Sequence, residues 1–353
     1  MFDEIDTVEV NESSSDAYIE AHSGGLPILN IAKFNLSSDA RAEVVADLRR
    51  ILHEWGFFYL AGHNVPQELV DGVLNASKRF FAMPEADKLE IEMIRSPGFR
   101  GYTRAGAELT GGQQDWREQV DFDREEAALE LAEGDPAWKR TIGPNQWPSA
   151  MPELKDVILR YQEEMTRVST DVLKAIALAL GQDENVFEPM IAPAPRQHLK
   201  ILRYPGQKAV EAQGVGAHKD GGLITILLQD VLPGLRVKTD SGEWIDAPPI
   251  PGTFVVNTGE LLELATNGFV CADIHAAISP PEGTERFSVP FFLGASHDGS
   301  IPLIELPAEL KGKERGVSSD PDNQLFRDVG ANHLKARLRS HPDVAQAHYA
   351  DVL

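Results

Sequence analysis

The chain has 353 residues, of which 42% are hydrophobic and 25% charged, a globular composition that excludes disordered, collagen-like and coiled-coil proteins. Its net charge of −22 repels phosphate backbones and anionic lipid, so we expect a small-molecule partner and neither nucleic acid nor a membrane surface. The acidic N-terminus does not resemble a signal peptide and no apolar run would span a bilayer, which together predict a cytoplasmic protein. The single cysteine, Cys271, excludes an intrachain disulfide and a cysteine zinc cluster.

The first half of the chain carries mainly helical patterns. Residues 1–25 are rich in Ser, Glu and Asp without an apolar period, which predicts a loose acidic arm. We expect 26–195 to form a helical N-terminal region, with its longest amphipathic helix over 152–181 and one buried strand over 57–60. Residues 96–150, rich in Gly, Pro and charge, predict loops and short pieces.

The second half changes to a strand pattern. Between 196 and 295, short strands alternate with turn residues such as Tyr-Pro-Gly at 204–206 and Asn-Gly at 267–268, a spacing typical of a sandwich or jelly roll. Residues 296–353 return to helix, with a break at 341–342. The predicted fold class is therefore α+β with a mainly β core, a jelly roll flanked by N-terminal and C-terminal helices.

A candidate metal site follows from three residues of this β region. His218 and Asp220 lie in the strand-like segment AHKDGGLITILLQ, where alternation sends both side chains to one face. A second strand-like segment ends in His275 and can return a third ligand from across a jelly roll. Two imidazoles and one carboxylate on one face of a metal leave positions free for oxygen, as in non-haem Fe(II) oxygenases.

A candidate anion site lies shortly after the distal histidine. Arg286 and Ser288 are two residues apart in a strand-like segment, so alternation places both on one face. A guanidinium fork next to a hydroxyl fits the far carboxylate of a dicarboxylic acid. The alternative, an arginine in a surface ion pair, is weakened by the apolar VPFFLG that follows.

With these motifs, the chain resembles the isopenicillin N synthase-like branch of the Fe(II)/2-oxoglutarate dioxygenases. The resemblance covers nearly all of the sequence from Leu26 to His341. Besides the HxD, His and RxS set, it rests on WGFFYLAGHNV at 55–65, FFAMPEADKL at 80–89, RGY at 100–102, PPIPGTFVVNTGELLE at 248–263 and TNG at 266–268.

The resemblance implies a double-stranded β-helix core and a defined set of ligands. His218, Asp220 and His275 would bind Fe(II), while Arg286 and Ser288 would bind the cosubstrate 2-oxoglutarate. Oxygen would then be consumed with release of succinate and carbon dioxide, and a small molecule would be hydroxylated, desaturated or cyclised.

One departure from the family pattern concerns the cosubstrate. The family usually adds a tyrosine, often with an asparagine two residues before it. Here the strand is LKILRYP, so Tyr204 matches the tyrosine and Leu202 stands at the asparagine position.

Three other functions remain open at this point. Some relatives dispense with 2-oxoglutarate and cyclise a peptide, and another fragments 2-oxoglutarate to ethylene. A non-enzymatic jelly-roll module that merely takes up metal is the third, disfavoured because the metal set and the Arg-x-Ser pair occur together.

Four residues are candidates for substrate contact. Lys200 shares strand parity with Tyr204, so it points into the barrel and contacts either a carboxylate of substrate or cosubstrate, or an ion-pair partner at the rim. Asp273 shares parity with the distal histidine and would bind a cationic substrate group or a neighbouring backbone group. By resemblance, Tyr102 and Arg104 would lie near the barrel mouth, and the C-terminal helices would cover that mouth. Tyr102 or Arg104 would equally fit an ordinary surface position.

Overall fold

The computed structural model describes residues 18–19, 25–209, 212–317 and 323–353, so the predicted acidic arm lies almost wholly outside the described residues. The α-helices are α1 Ser38–Glu54, α2 Gln67–Phe81, α3 Glu85–Lys88, α4 Leu154–Ala179, α5 Glu188–Ile191, α6 Glu260–Ala265, α7 Val329–Ser340 and α8 Pro342–His348. Short 3-10 helices occupy Ile31–Asn35, Leu89–Ile91, Met93–Arg95 and Ala137–Thr141. Within the described ranges, no helix is long and apolar enough to cross a membrane.

Fifteen strands complete the described secondary structure. In chain order they are β1 Tyr18–Ile19, β2 Ile28–Asn30, β3 Phe57–Ala61, β4 Gly101–Thr103, β5 Leu109–Thr110, β6 Gln113–Gln114, β7 Glu118–Phe122, β8 Arg196–Pro205, β9 Gln213–His218, β10 Ile224–Gln229, β11 Leu235–Lys238, β12 Trp244–Asp246, β13 Phe254–Thr258, β14 His275–Ile278 and β15 Glu285–Gly294.

The strands form the two facing sheets of a jelly roll. The large sheet has the order β1-β2-β3-β13-β10-β15-β8-β7-β4, and the small sheet has the order β12-β11-β14-β9. All pairs are antiparallel except β2 with β3. A separate hairpin of β5 and β6 follows β4. The predicted fold class is confirmed.

Helices cover the outer face of the large sheet. Ser37 caps α1 by accepting a hydrogen bond from the Ala40 backbone, and the buried Val44 and Leu48 face α4 at helical spacing. Gly56, with a φ of +59°, lies just after this helix and hydrogen-bonds back to it. The α-helices and the outward residues of the strands share the largest hydrophobic cluster.

Strand β8 shows how alternation separates the two faces of the sheet. Leu199 and Ile201 belong to the hydrophobic cluster under the helices. Leu202 and Tyr204, of opposite parity, pack between the sheets against strands β9 and β14. Lys200 has the same parity as Tyr204, so the predicted inward direction of this lysine is correct.

Two local predictions were wrong. His218 is the last residue of β9 and Asp220 lies in the turn before β10, so strand alternation does not bring these two side chains together. His275 begins β14 and does not end a strand. Residues 96–150 consist of loops and short elements, as predicted, and two of these elements, β4 and β7, extend the large sheet. Strand β7 is buried at every position and therefore carries no alternating pattern.

Candidate active site

The candidate metal ligands converge at one end of the small sheet. His218 and His275 lie opposite each other in the pairing of β9 with β14. The Nε2 atoms of His218 and His275 lie 3.6 and 3.7 Å from Oδ1 of Asp220. One donor atom from each residue falls within 4.8 Å of the others, a spacing that a single metal ion can bridge.

Hydrogen bonds fix the orientation of all three side chains. Oδ2 of Asp220 accepts from Thr225 Oγ1 at 2.5 Å and from Asn257 Nδ2 at 2.8 Å, which leaves Oδ1 toward the histidines. Nδ1 of His218 lies 2.8 Å from the Gly216 carbonyl, and Nδ1 of His275 lies 3.4 Å from a backbone carbonyl, so both Nε2 atoms face inward. Thr225 and Asn257 were not predicted from the sequence as supports of Asp220. The only available signal was their position on adjacent strands, with side chains on the same face as the metal site.

The turn between β9 and β10 packs closely against the start of α6. A Cβ on Gly259 would lie 2.2 Å from the carbonyl oxygen of Gly222, so only glycine fits there. The adjacent Glu260 amide donates to the Asp220 carbonyl at 2.7 Å. These contacts hold the Asp220 backbone against the start of α6.

The charge states of His275 and Asp220 suit metal binding. Burial lowers the pKa of His275 to about 4, aided by the neighbouring His218, so the His275 imidazole is neutral at pH 7. Burial alone would raise the pKa of Asp220, but the two histidines and Thr225 outweigh burial and hold that pKa well below its usual range. Burial opposes protonation of His218, yet the hydrogen bond and charge of Asp220 prevail and raise the pKa of His218.

The predicted anion-binding residues lie together between the sheets. Arg286 and Ser288 are each 1% exposed, and Arg286 lies directly opposite Tyr204 in the pairing of β15 with β8. Arg286 donates from Nε to the Leu232 carbonyl and from Nη2 to Gln229. Its Nη1 is buried without a hydrogen-bond partner among the described residues, a costly state that a bound carboxylate would relieve.

A cavity of about 650 Å³ opens beside His218 and Asp220. Helix α7 contributes part of its wall, so one of the C-terminal helices reaches this cavity. Lys200 also lines this cavity, and its Nζ contacts Glu108 Oε1 at 3.0 Å and Asp121 Oδ1 at 3.6 Å. The anionic partners of Lys200 within the described chain are therefore buried carboxylates of the protein itself.

Tyr102 and Arg104 do not reach the cavity. Tyr102 pairs with Val120, so it points to the outer face of the sheet, where it packs on Phe80 and donates to Glu118. Arg104 is half exposed and forms surface ion pairs at 3.6 Å with Glu85 and Glu92. Both expectations of substrate contact were wrong, because Tyr102 on β4 faces the helical side of the large sheet and Arg104 lies just beyond the end of that strand.

Asp273 also lies away from the main cavity. The residues just before β14 are not extended as a strand, so parity with the distal histidine does not apply. Asp273 instead lines a separate cavity of about 270 Å³ with Glu54, Trp55 and Asp240. Burial, followed by the charge of Asp240, raises the pKa of Asp273 to about 7. Cys271 is a buried free thiol, as expected.

Two family models match the chain. One, described as the N-terminal part of non-haem dioxygenases in morphine synthesis, matches residues 26–150. The other, described as the 2OG-Fe(II) oxygenase superfamily, matches residues 195–295 and so includes the whole candidate metal and anion sites. Together the two matches cover more than half of the chain.

Individual relatives agree with these matches. The 2-oxoglutarate-dependent dioxygenase frbJ of Dothideomycetidae sp. is 35% identical over 91% of each chain. A homoarginine-6-hydroxylase of Arabidopsis thaliana is 34% identical over 88% of this chain and 87% of its own. Among solved structures, full-length Neurospora crassa T7H in complex with alpha-KG is similar with a TM-score of 0.74 and 25% identity, covering 92% of this chain and 100% of T7H.

The chain therefore belongs to the Fe(II)/2-oxoglutarate-dependent dioxygenases of the isopenicillin N synthase-like family. It is a non-haem iron oxygenase whose cofactor is Fe(II) and whose cosubstrates are 2-oxoglutarate and O2. The residues present fit both groups, because the triad offers a neutral imidazole and an ionised carboxylate, and Arg286 offers a buried donor without a partner.

Proposed function

We propose that His218, Asp220 and His275 bind the Fe(II) ion. Arg286 and Ser288 hold the far carboxylate of 2-oxoglutarate, with Tyr204 beside them. A small polar molecule is hydroxylated in the adjacent cavity. The observation that carries the proposal is the convergence of three ligand atoms within 4.8 Å on a buried, preoriented aspartate. The bound iron supplies oxygen activation coupled to conversion of 2-oxoglutarate to succinate and carbon dioxide.

The protein's part in this reaction is orientation. Thr225 and Asn257 hold one oxygen of Asp220 and so direct the other toward the metal position. Gln229 and the Leu232 carbonyl fix the plane of the Arg286 guanidinium, which directs Nη1 to the cosubstrate carboxylate. Helix α7 forms part of the cavity wall and excludes water from the substrate.

The cavity supports a small and polar substrate. Its volume of about 650 Å³ is in the ordinary range for small-molecule sites, and charged side chains form much of its lining. Relatives named homoarginine-6-hydroxylase, from Arabidopsis thaliana and Glycine max, indicate by their names that polar amino acids are substrates within this group. Hydroxylation is the outcome that we propose for this chain.

The test measures succinate and product together. Purified protein with Fe(II), 2-oxoglutarate and air is offered a library of small polar metabolites, including L-homoarginine. We expect one compound to increase succinate formation and to gain one oxygen atom in equal amount. Conversion of a compound without 2-oxoglutarate, or loss of hydrogen without gain of oxygen, would contradict the proposal and favour cyclisation or desaturation.

We further propose that the protein works in the cytoplasm and does not bind nucleic acid. Its only cysteine is a buried free thiol, which suits a reducing compartment. The net charge of −22 opposes association with phosphate backbones. Fluorescence microscopy of the tagged protein in its source cells and a filter-binding assay with DNA and RNA test these two statements; an extracytoplasmic signal or retained nucleic acid would contradict them.

A further inference from the structure

The charged side chains around the main cavity form two sets, one that lines the cavity and one that is buried behind the lining. Seven lysines and arginines line the cavity, against three carboxylates, Glu108, Glu260 and the metal ligand Asp220. Asp115 and Asp121, two of the aspartates that balance the buried cations, are fully buried and form no part of the lining. Among the lining residues cations therefore outnumber carboxylates, although the whole chain is strongly acidic.

Arg117 and Lys200 are two cations of the cavity wall that lie against the same carboxylate. Both lie on the cavity wall, are less than one-tenth exposed, and share a single lining carboxylate, Glu108. Their second partners lie behind them and are more distant, Asp115 at 3.4 Å from Arg117 and Asp121 at 3.6 Å from Lys200. Arg337, also on the wall, pairs with Asp121 at 3.0 Å.

Arg117 also retains an unused donor. Its Nε is buried and has no hydrogen-bond partner among the described residues. A buried guanidinium donor without a partner is destabilising unless a ligand or water supplies an acceptor. The Nε atom itself is closed off from the cavity, so contacts to a bound small molecule would come from the outer nitrogens of the Arg117 guanidinium and from Lys200 on the wall.

Arg117 and Lys200 lie on the cavity wall that also contains two of the candidate metal ligands, His218 and Asp220. Lys200 lies four residues along β8 from Tyr204, roughly 13 Å by strand rise, on the same face of the sheet. A molecule held by Arg117 and Lys200 would thus place its carbon atoms next to His218 and Asp220, separate from the Arg286 site.

We propose that the substrate carries a carboxylate and that Arg117 and Lys200 bind it on the cavity side. This inference rests on the proposed function, since it names the class of molecule that the cavity accepts. Glu108, which contacts both cations, demonstrates that a carboxylate fits their spacing. The second carboxylate, on the substrate, would satisfy the donors that face the cavity.

Binding of matched acids and amides tests the inference. The protein is loaded anaerobically with Mn(II) and 2-oxoglutarate, and calorimetry measures binding of the standard L-amino acids, L-homoarginine and hexanoate, each beside its primary amide. We expect at least one acid to bind and its amide to bind about tenfold more weakly or worse, because the amide loses the charge-assisted hydrogen bonds. Acids that bind no better than their amides would overturn the inference.

Variants assign the effect to the two residues. Arg117→Gln and Lys200→Gln should each weaken binding of the best acid by about tenfold and leave its amide unchanged. Either single change leaves the buried Glu108 with one cationic partner fewer, which could itself disturb the fold. The double variant Glu108→Gln with Lys200→Gln removes both charges of that pair together and should show the same loss of acid binding. Arg203→Gln is the matched control, since Arg203 lies on β8 with the opposite parity and pairs with Glu118 and Glu285. Unchanged acid affinity in the folded Lys200 variants would contradict the assignment.

A spectroscopic measurement on the same protein distinguishes failure of this inference from failure of the proposed function. Fe(II) and 2-oxoglutarate added anaerobically should produce the visible absorption band of their complex. If the band forms while acids and amides bind alike, the carboxylate site is wrong and the oxygenase site stands. If no band forms, the proposed function fails, and this inference fails with it.

Discussion

The guanidinium carbon of Arg286 lies 4.9 Å from the ring centroid of Tyr204, directly across the pairing of β15 with β8. The ring covers one side of the guanidinium, while Gln229 and the Leu232 carbonyl fix its plane. Arginine is thus held as a rigid fork with one free end, and a flexible ammonium group could not reproduce that geometry.

The first prediction follows from this rigid fork. Arg286→Lys should increase the concentration of 2-oxoglutarate needed for half-maximal turnover by about tenfold or more, with a much smaller effect on the substrate requirement. Steady-state kinetics with each compound varied in turn measures both values. Arg203→Lys, on the neighbouring strand, is the control and should leave the 2-oxoglutarate requirement near wild type. An unchanged 2-oxoglutarate response in the Arg286 variant would assign this arginine to the substrate.

The second prediction concerns a residue that holds a ligand. Asn257 donates to Asp220 Oδ2, so Asn257→Ala should weaken Fe(II) binding by about tenfold to a hundredfold without removing any ligand. Anaerobic equilibrium dialysis measures the affinity. Thr258→Val is the control, because Thr258 is the next residue on β13 and donates to the Cys271 carbonyl. Equal Fe(II) affinity in Asn257→Ala and wild type would show that the hydrogen bond has no role in orientation.

The third prediction replaces the role that sequence parity suggested for Asp273. The Asp273 side chain lines the smaller cavity, so Asp273→Asn should keep Fe(II) binding, 2-oxoglutarate binding and substrate affinity. Burial already favours the protonated, neutral form of this carboxyl group, and an amide of the same size replaces it closely. Calorimetry with the identified substrate checks the affinity. A substantial loss of substrate affinity would show that Asp273 takes part in substrate binding.

The fourth prediction concerns the pH dependence of stability. Burial, and then the charge of Arg337, lowers the pKa of His341 to about 3, whereas in the unfolded chain it is near 6.5. The unfolded state therefore binds the proton first, and the free energy of unfolding falls as the pH drops below 6.5. Between pH 7 and pH 5 this single group lowers stability by about 2 kcal/mol.

Denaturant unfolding of wild type and His341→Gln across that range measures this effect. The variant should lose less stability than wild type between pH 7 and pH 5, whatever its stability at pH 8, where the imidazole is neutral in both states. Parallel pH profiles for the two proteins would contradict the assignment to His341.

Much of the fold was predictable because its signals are local. The apolar spacing of α4 and the buried run of β3 follow directly from side-chain periodicity. Strand β7 gave no such signal, because its sequence EQVDF mixes charged and apolar residues that are all buried. The charges of β7 are neutralised by partners distant in sequence, such as Arg337 for Asp121, and no local pattern reveals such pairs.

The site predictions also succeeded where the signal was local and failed where it was not. Alternation correctly placed Lys200 with Tyr204, because both belong to one regular strand. It failed for Asp273 and for the pair of His218 and Asp220, because these residues lie wholly or partly in turns, where a period of two has no meaning. Resemblance to the family named the triad, whereas only the folded sheet shows that Asn257 supports it.

The most direct test of the metal assignment is the anaerobic absorption band formed by Fe(II) with 2-oxoglutarate. Wild type should develop the band with one Fe(II) per chain, Asp273→Asn should match wild type, and His275→Ala should lose both the band and turnover, because no neighbouring side chain replaces the imidazole. Asp220→Ala should likewise lose turnover. A His275→Ala protein that forms the full band and turns over substrate at the wild-type rate would contradict the account.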